Sequence, residues 1–138
     1  MEVVLHLPVV PNVELVAAKA VETLGGALGM HQTRVEAASV AMVEACLNAM
    51  EHGGGPVTVR LRKDNHDARP CLLIEVEDKG GGFDPDSAPQ NSASRVLGSA
   101  SKRGWGLTLI RELMDDVEIR STPGKTLVSM RKYVENAP

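Results

Sequence analysis

The alternation of apolar and polar residues divides the chain into five predicted strands and three predicted helices. Alternating or short apolar runs predict strands at residues 3–7, 57–62, 72–76, 117–121 and 126–133. Apolar residues recurring every three to four positions predict helices at residues 12–28, 33–52 and 105–114, with Asn12 as the first N-cap. The second and third strands read as an antiparallel hairpin around the polar turn at 64–67.

Size and composition narrow the class of protein. The 138 residues suit one domain, which we expect to span residues 1–138. Apolar residues make up 43% of the chain but aromatic residues only 2%, so the core must be aliphatic. The formal charge of -3 and the lack of a basic run argue against a nucleic-acid-binding surface.

The sequence also argues against a membrane-spanning protein and against a fold held by disulfide bonds. The chain has no apolar stretch of membrane-spanning length, and Met1-Glu2 does not begin a signal peptide, so we expect a cytoplasmic protein. Cys46 and Cys71 have no CxxC partner spacing and are expected to be buried as small hydrophobic residues.

A polar segment without periodicity follows the third strand. It covers residues 84–103 and is rich in Ser, Ala, Pro and Asn. An irregular connection of roughly twenty residues inside a compact domain is typical of a lid or a disordered segment. We therefore predict a flexible lid over these residues.

The second predicted helix carries a carboxylate, an amide and an imidazole on one face. Glu44, Asn48 and His52 are spaced i, i+4 and i+8, with a rise of about 6 Å between neighbours. An Asn oxygen suits Mg²⁺, which takes its remaining ligands from water and phosphate. Glu44 could accept a proton from an attacking hydroxyl or water. The alternative is a solvated polar face, which the spacing alone does not exclude.

Two glycine-rich segments follow in order. Asp78 ends an apolar strand and is followed by Gly80, Gly81 and Gly82, where the backbone can approach a ligand and the acid can accept an amine hydrogen. Gly104 and Gly106 then begin a helix after two basic residues. Free amides at a helix start favour an anion, and either Lys102 or Arg103 could neutralise a phosphate. Each segment alone could also be an ordinary glycine turn.

Other phosphate-binding loops do not fit. Gly124-Lys125-Thr126 matches the end of a Walker motif, but position 119 is Ile and a strand follows instead of a helix. Neither Gly80 nor Gly104 begins a full GxGxxG.

In this order, the three segments resemble the ATP-binding domain shared by gyrase, heat-shock chaperone, histidine kinase and mismatch-repair ATPases. Within that superfamily the chain is most similar to the small bacterial anti-sigma factor serine kinases of partner-switching systems. The resemblance extends over nearly the whole chain, up to Gly124-Lys125-Thr126. It implies an α/β (α+β) two-layer sandwich, with a mixed, mostly antiparallel sheet and helices packed on one face.

The resemblance also implies roles for individual residues. Glu44 would be the catalytic base, Asn48 the Mg²⁺ ligand and Asp78 the acceptor for the adenine amine. The other implied nucleotide contacts are Gly80 and Gly82 in the adenine pocket, Thr126 near the adenine, Gly104 and Gly106 at the phosphates, and Lys102 or Arg103 at the γ-phosphate.

The implied function is regulation of transcription by an ATP-dependent serine/threonine-protein kinase. Such a protein binds ATP or ADP with Mg²⁺, phosphorylates a small anti-anti-sigma antagonist, sequesters a sigma factor and often forms a homodimer, without contacting nucleic acid or membrane. A non-catalytic module that switches partners according to its nucleotide stays open, although Glu44 argues against it. A histidine-kinase catalytic domain fits less well, because Glu44 and His52 are unusual in the first motif of that class.

Overall fold

The computed structural model of the chain describes residues 1–79 and 106–135. The predicted lid at 84–103 lies outside these residues. In chain order the elements are β1 Glu2–Leu7, α1 Glu14–Ala27, α2 Gln32–Gly53, β2 Val57–His66, β3 Arg69–Asp78, α3 at residues 106–113, β4 Asp116–Thr122 and β5 Lys125–Tyr133.

The five strands form one sheet in the order β1-β2-β3-β5-β4, and every neighbouring pair is antiparallel. The β2–β3 hairpin predicted from the sequence is therefore present. Alternate strand residues join the helices in one hydrophobic core, so the helices cover one face of the sheet. The predicted two-layer fold class is confirmed, but the sheet of the described residues is entirely antiparallel and not mixed.

The core is aliphatic, as the composition predicts. Its largest fully buried side chains are Met42, Leu61, Leu72, Ile74, Ile110 and Met130. Helix α2 contributes a continuous apolar stripe made mostly of small residues: Ala38, Ala41, Met42, Ala45, Cys46 and Ala49. None of the described helices is long and apolar enough to cross a membrane.

The start of α1 differs from the prediction. Asn12 does not cap the helix, because it has a φ of 68° and Val13 occupies the N-cap position without a side-chain hydrogen bond. The far end is a Schellman motif, in which the amide of Gly29 donates to Gly26 and that of Met30 donates to Gly25. Gly29 supplies the φ of 77° that this motif requires.

The β2–β3 turn lies slightly later than predicted. The strands continue past the polar run and pair as far as His66 opposite Arg69. The turn residues are Asp67 and Ala68, which both have positive φ, at 54° and 61°. Two such residues make a turn whose twist matches that of the flanking strands, so the hairpin is tight despite its lack of glycine.

Ion pairs occupy the sheet face that the described helices leave open. Arg62 lies 3.7 Å from Glu2 and 3.8 Å from Glu75, which places charged groups of three adjacent strands together. The apolar stem of Arg62 stands opposite Leu73, which is buried on this face. Long charged side chains thus shield the second apolar layer of the sheet.

Helix α3 is fastened at its end to β5 and to the start of α2. The Lys132 ammonium donates to the Leu113 carbonyl, and burial lowers the pKa of this lysine below its ordinary value. Just after α3, the Asp115 carboxylate accepts from Arg34 at 2.5 Å and from the Tyr133 amide at 2.7 Å. These bonds hold the end of α3 beside the first turn of α2.

The burial of both cysteines predicts that the native protein is unreactive toward thiol reagents. Cys46 and Cys71 are fully buried, and burial together with the nearby Glu14 raises the pKa of Cys46 to about 12. We expect negligible reaction with an aromatic disulfide reagent at pH 8 in the folded state and complete reaction in denaturant. Rapid native labelling of either thiol would contradict the described core.

Candidate active site

Helix α2 holds the first group of candidate residues. Glu44 and Asn48 lie one turn apart on α2, and both are half-buried. The Nδ2 atom of Asn48 is buried and has no hydrogen-bond partner among the described residues. A buried amide without a partner costs about 1–3 kcal/mol, so it is typical of a group kept for a ligand.

Gly106 brings the start of α3 against Asn48. A Cβ atom at Gly106 would lie 2.8 Å from Asn48 Nδ2 and 3.2 Å from Asn48 Oδ1. Only a glycine leaves the Asn48 amide in this position, because any side chain would displace it. The first and third segments of the sequence, which are almost sixty residues apart, therefore meet at one point.

Gly53 brings the C-terminal end of α2 against Asp78. A Cβ atom at Gly53 would lie 2.8 Å from Asp78 Oδ1 and 3.0 Å from Asp78 Cβ. Asp78 is buried at the end of β3. Gly53 lies inside the helix, before the left-handed cap at Gly54. In the sequence, the run of glycines after His52 is typical only of a helix end, so this contact was not predicted.

Thr126 lies on the strand next to Asp78. The two residues are opposite each other across β3 and β5, and both are buried. The Thr126 hydroxyl lies 3.2 Å from the Ser121 hydroxyl, which β4 supplies. Ser121 is a second neighbour of the site that the sequence did not reveal, since the pairing of β4 with β5 defines it.

The chemistry of these groups suits a metal that is held only partly by protein. Within residues 1–79 and 106–135, no group of three His, Cys, Asp or Glu side chains could hold a metal ion. One Asn oxygen beside a glycine-lined space instead matches Mg²⁺, which keeps water and takes phosphate oxygens. The residues present fit such an ion bound together with a nucleotide.

Several predicted contacts lie outside the described residues. Of the described candidates, Glu44, Asn48 and Gly106 form one group, and Asp78 and Thr126 form another beside Gly53, at the C-terminal end of the same helix. The five candidates outside the described part of the chain are Gly80, Gly82, Lys102, Arg103 and Gly104. Their roles, and the choice between Lys102 and Arg103 at the γ-phosphate, stay predictions.

This arrangement coincides with a known domain family. The family described as the histidine kinase-like ATPase domain matches residues 10–132, which include every candidate residue. The chain belongs to this family. A histidine kinase-like ATPase domain is a nucleotide-binding domain, so the groups around α2 are candidates for contacts with a nucleotide.

Several relatives within the family are protein kinases and anti-sigma factors. The chain is 30% identical to the serine-protein kinase RsbW of Bacillus pumilus, over 94% of this chain and 84% of that protein. It is 29% identical to the RsbW of Bacillus velezensis, with the same shares covered. It is 37% identical to the anti-sigma F factor of Caldanaerobacter subterraneus, over 71% of this chain and 66% of that protein.

Solved structures support the same fold. A chain in the SiaB–SiaC complex from Pseudomonas aeruginosa superposes with a TM-score of 0.55 at 11% identity, covering 96% of this chain and 89% of that one. The histidine kinase domain of a blue-light activated kinase from Erythrobacter litoralis superposes with a TM-score of 0.52 at 17% identity, covering 88% and 59%. At these identities, the likeness concerns the fold alone.

The close contact at Gly53 predicts a selective effect of one methyl group. Gly53→Ala should displace the Asp78 carboxylate and weaken ATP and ADP binding about tenfold, because the predicted hydrogen bond between Asp78 and the adenine amine would be lost. Gly55→Ala is the matched control, since nothing lies within 4 Å of a Cβ atom there. Calorimetric titration of both variants measures the effect, and equal affinities would contradict the role of Gly53.

Proposed function

We propose that the protein is an ATP-dependent serine-protein kinase of the anti-sigma type. Its substrate would be a serine on a small anti-anti-sigma antagonist protein, and its second partner would be a sigma factor that it sequesters. The proposal includes a homodimer and a cytoplasmic location, as the family resemblance implies. Regulation would come from exchange between the two partners.

The observation that carries the proposal is the contact between Gly106 and Asn48, whose buried Nδ2 atom has no partner among the described residues. A structural Asn inside a core would have its hydrogen bonds satisfied, whereas this amide faces a space kept open by the absence of a side chain. Glu44 lies one turn away on the same helix. Such a pair supports phosphoryl chemistry better than a merely solvated helix face.

In the proposed reaction Glu44 accepts the proton of the substrate serine hydroxyl. The serine oxygen attacks the γ-phosphorus of ATP, the bond from this phosphorus to the bridging oxygen breaks, and ADP leaves with the electron pair. Glu44 makes no hydrogen bond or ion pair with the described residues, so its carboxylate is available for that proton. General bases of this kind contribute about 10²–10⁴-fold to the rate.

The remaining residues would bind and orient ATP. Asp78 would accept a hydrogen bond from the adenine amine, with Thr126 beside it on the neighbouring strand. Asn48 would hold Mg²⁺, which when bound neutralises charge on the phosphates. Gly104 and Gly106 would donate backbone amides to phosphate oxygens, with Lys102 or Arg103 at the γ-phosphate.

A second function, partner switching without phosphotransfer, uses the same nucleotide site. Several relatives are named for kinase activity and others as anti-sigma factors, and the second name states binding of a sigma factor without stating the reaction. The position of Glu44 one turn from Asn48 favours the kinase, because a protein that only binds nucleotide needs no base beside the metal ligand.

Removal of the base separates the two functions. Glu44→Gln should leave ATP affinity unchanged and lower phosphotransfer about 10²–10⁴-fold, since only the proton acceptor is lost. Transfer of labelled γ-phosphate to an anti-anti-sigma antagonist from the same organism measures this. Glu36→Gln, eight residues earlier on the exposed side of α2, is the matched control. Loss of ATP binding by Glu44→Gln would indicate a structural role instead.

Asn48→Ala should separate ligand binding from stability. The substitution removes a buried Nδ2 donor that has no partner among the described residues, so the thermal midpoint of the ligand-free protein should not fall. The increase in ATP affinity caused by Mg²⁺ should disappear. Calorimetric titration with ATP, with and without Mg²⁺, and thermal unfolding measure the two effects. Persistent Mg²⁺ dependence would mean that another residue holds the metal.

A further inference from the structure

Three charged side chains meet at the end of α3 that lies away from the candidate site. They are Arg34 in the first turn of α2, Asp115 just after α3, and Lys132 on β5, and we call them the α3 clamp. Their side chains are only 13%, 26% and 11% exposed. Removing charges from water is costly, and apolar residues of similar size often stabilise a fold as well. The geometry that these charges fix therefore calls for an explanation.

The hydrogen bonds of the α3 clamp are directional. The Asp115 carboxylate accepts from Arg34 Nη2 at 2.5 Å and from the backbone amide of Tyr133 at 2.7 Å. Arg34 also donates through Nε to the Tyr133 carbonyl at 2.8 Å. Arg34 and Asp115 thus form a closed ring of hydrogen bonds with one backbone unit of β5. Charge-assisted bonds of this kind fix distance and angle together.

Lys132 extends the α3 clamp to the helix end itself. Its ammonium donates to the Leu113 carbonyl and lies 3.9 Å from Asp115 Oδ1. The last carbonyls of a helix have no partner within the helix, and a positive charge there complements the helix dipole. The clamp therefore holds the last turn of α3 and the connection that follows it.

Helix α3 depends on contacts of this kind because it is short. Its eight described residues rise about 12 Å, and a helix of this length is marginal in water by itself. Ile110 and Met114 bury one side of it in the core. Hydrophobic burial is not directional, so it keeps α3 on the core without fixing a small slide or rotation. The α3 clamp fixes both.

We propose that the α3 clamp positions the helix for nucleotide binding, by setting the contact between Gly106 and Asn48 at the other end of α3. The tolerance of this contact is small, since a Cβ atom at Gly106 would lie 2.8 Å from Asn48 Nδ2. The clamp is anchored on α2 and β5, the elements that also carry Asn48 and Thr126. The inference rests on the proposed function, because it assigns the clamp to the Mg²⁺ side of the same site.

Removal of the clamp carboxylate tests the inference. Asp115→Ala should lower the increase in ATP affinity caused by Mg²⁺ about tenfold, because α3 would no longer hold Gly106 against Asn48. Asp116→Ala is the matched control, since this neighbouring carboxylate pairs with Arg131 at 3.3 Å on the sheet face that the described helices leave open. The control should stay within about twofold of the unmodified chain. Calorimetric titration with ATP, with and without Mg²⁺, measures both variants.

A second variant separates positioning from folding. Lys132→Met removes the ammonium but keeps the length of the side chain, and it should reproduce the loss of the Mg²⁺ effect. It carries the test if Asp115→Ala does not fold. All titrations are made at a temperature where thermal unfolding shows the variant to be folded, so that a change in affinity does not come from a smaller folded fraction.

A double-mutant cycle tests whether the α3 clamp acts through Asn48. In the Asn48→Ala background, Asp115→Ala should cause no further loss of ATP affinity, because the contact that the clamp positions is already absent. Substitutions more than about 7–10 Å apart are normally additive, and α3 spans about 12 Å between these two places. Additive losses would therefore overturn the proposal.

The same titrations keep this inference distinct from the proposed function. A chain that does not bind ATP would overturn both. If the unmodified chain binds ATP with a Mg²⁺ effect that folded Asp115→Ala and Lys132→Met retain in full, the α3 clamp has no positioning role and the proposed function stands. Equal losses in Asp115→Ala and Asp116→Ala would also overturn the role of the clamp.

Discussion

Close packing of α2 against the rest of the core determines where the candidate site lies. Its buried stripe consists mainly of alanines, which let the helix approach its neighbours more closely than leucines would. The approach reaches its limit at Gly53, where a single methyl group would collide with Asp78. Because the helix is rigid, the same packing fixes Asn48 one and a half turns earlier. Two separate groups of the site therefore have one structural cause.

One hydrogen-bonding group of the candidate site, the Nδ2 atom of Asn48, has no partner among the described residues, and this points to a function. A protein selected only for stability would satisfy the Asn48 amide or replace it with an apolar residue. Instead, the amide is buried without a partner among the described residues, beside a glycine that leaves space open. Departures from good packing of this kind are concentrated at functional sites. The surrounding aliphatic core is buried, so the fold tolerates the free-energy cost of leaving this amide without a partner.

The sequence predicts the order and kind of every described element, because the helical and strand periodicities are clear in a chain with few aromatics. It fails at the ends of elements, where local geometry decides. Asn12 is of a residue type that is common at N-caps, but it adopts a left-handed conformation. Asp67 and Ala68 form a turn that their residue types only weakly favour. The Gly53–Asp78 contact could not be predicted, since it depends on how closely a helix packs and not on a local pattern.

Helix α3 is attached to α2 at both of its described ends. Its start meets Asn48 through Gly106, and the residue after its end, Asp115, binds Arg34. Arg34 and Asn48 are fourteen residues apart on α2, a distance of about 21 Å along the axis. Helices α2 and α3 are therefore joined by two separate contacts, one at each described end of α3. The same short helix therefore joins the candidate site, at Gly106, to the ion pair beside the first turn of α2.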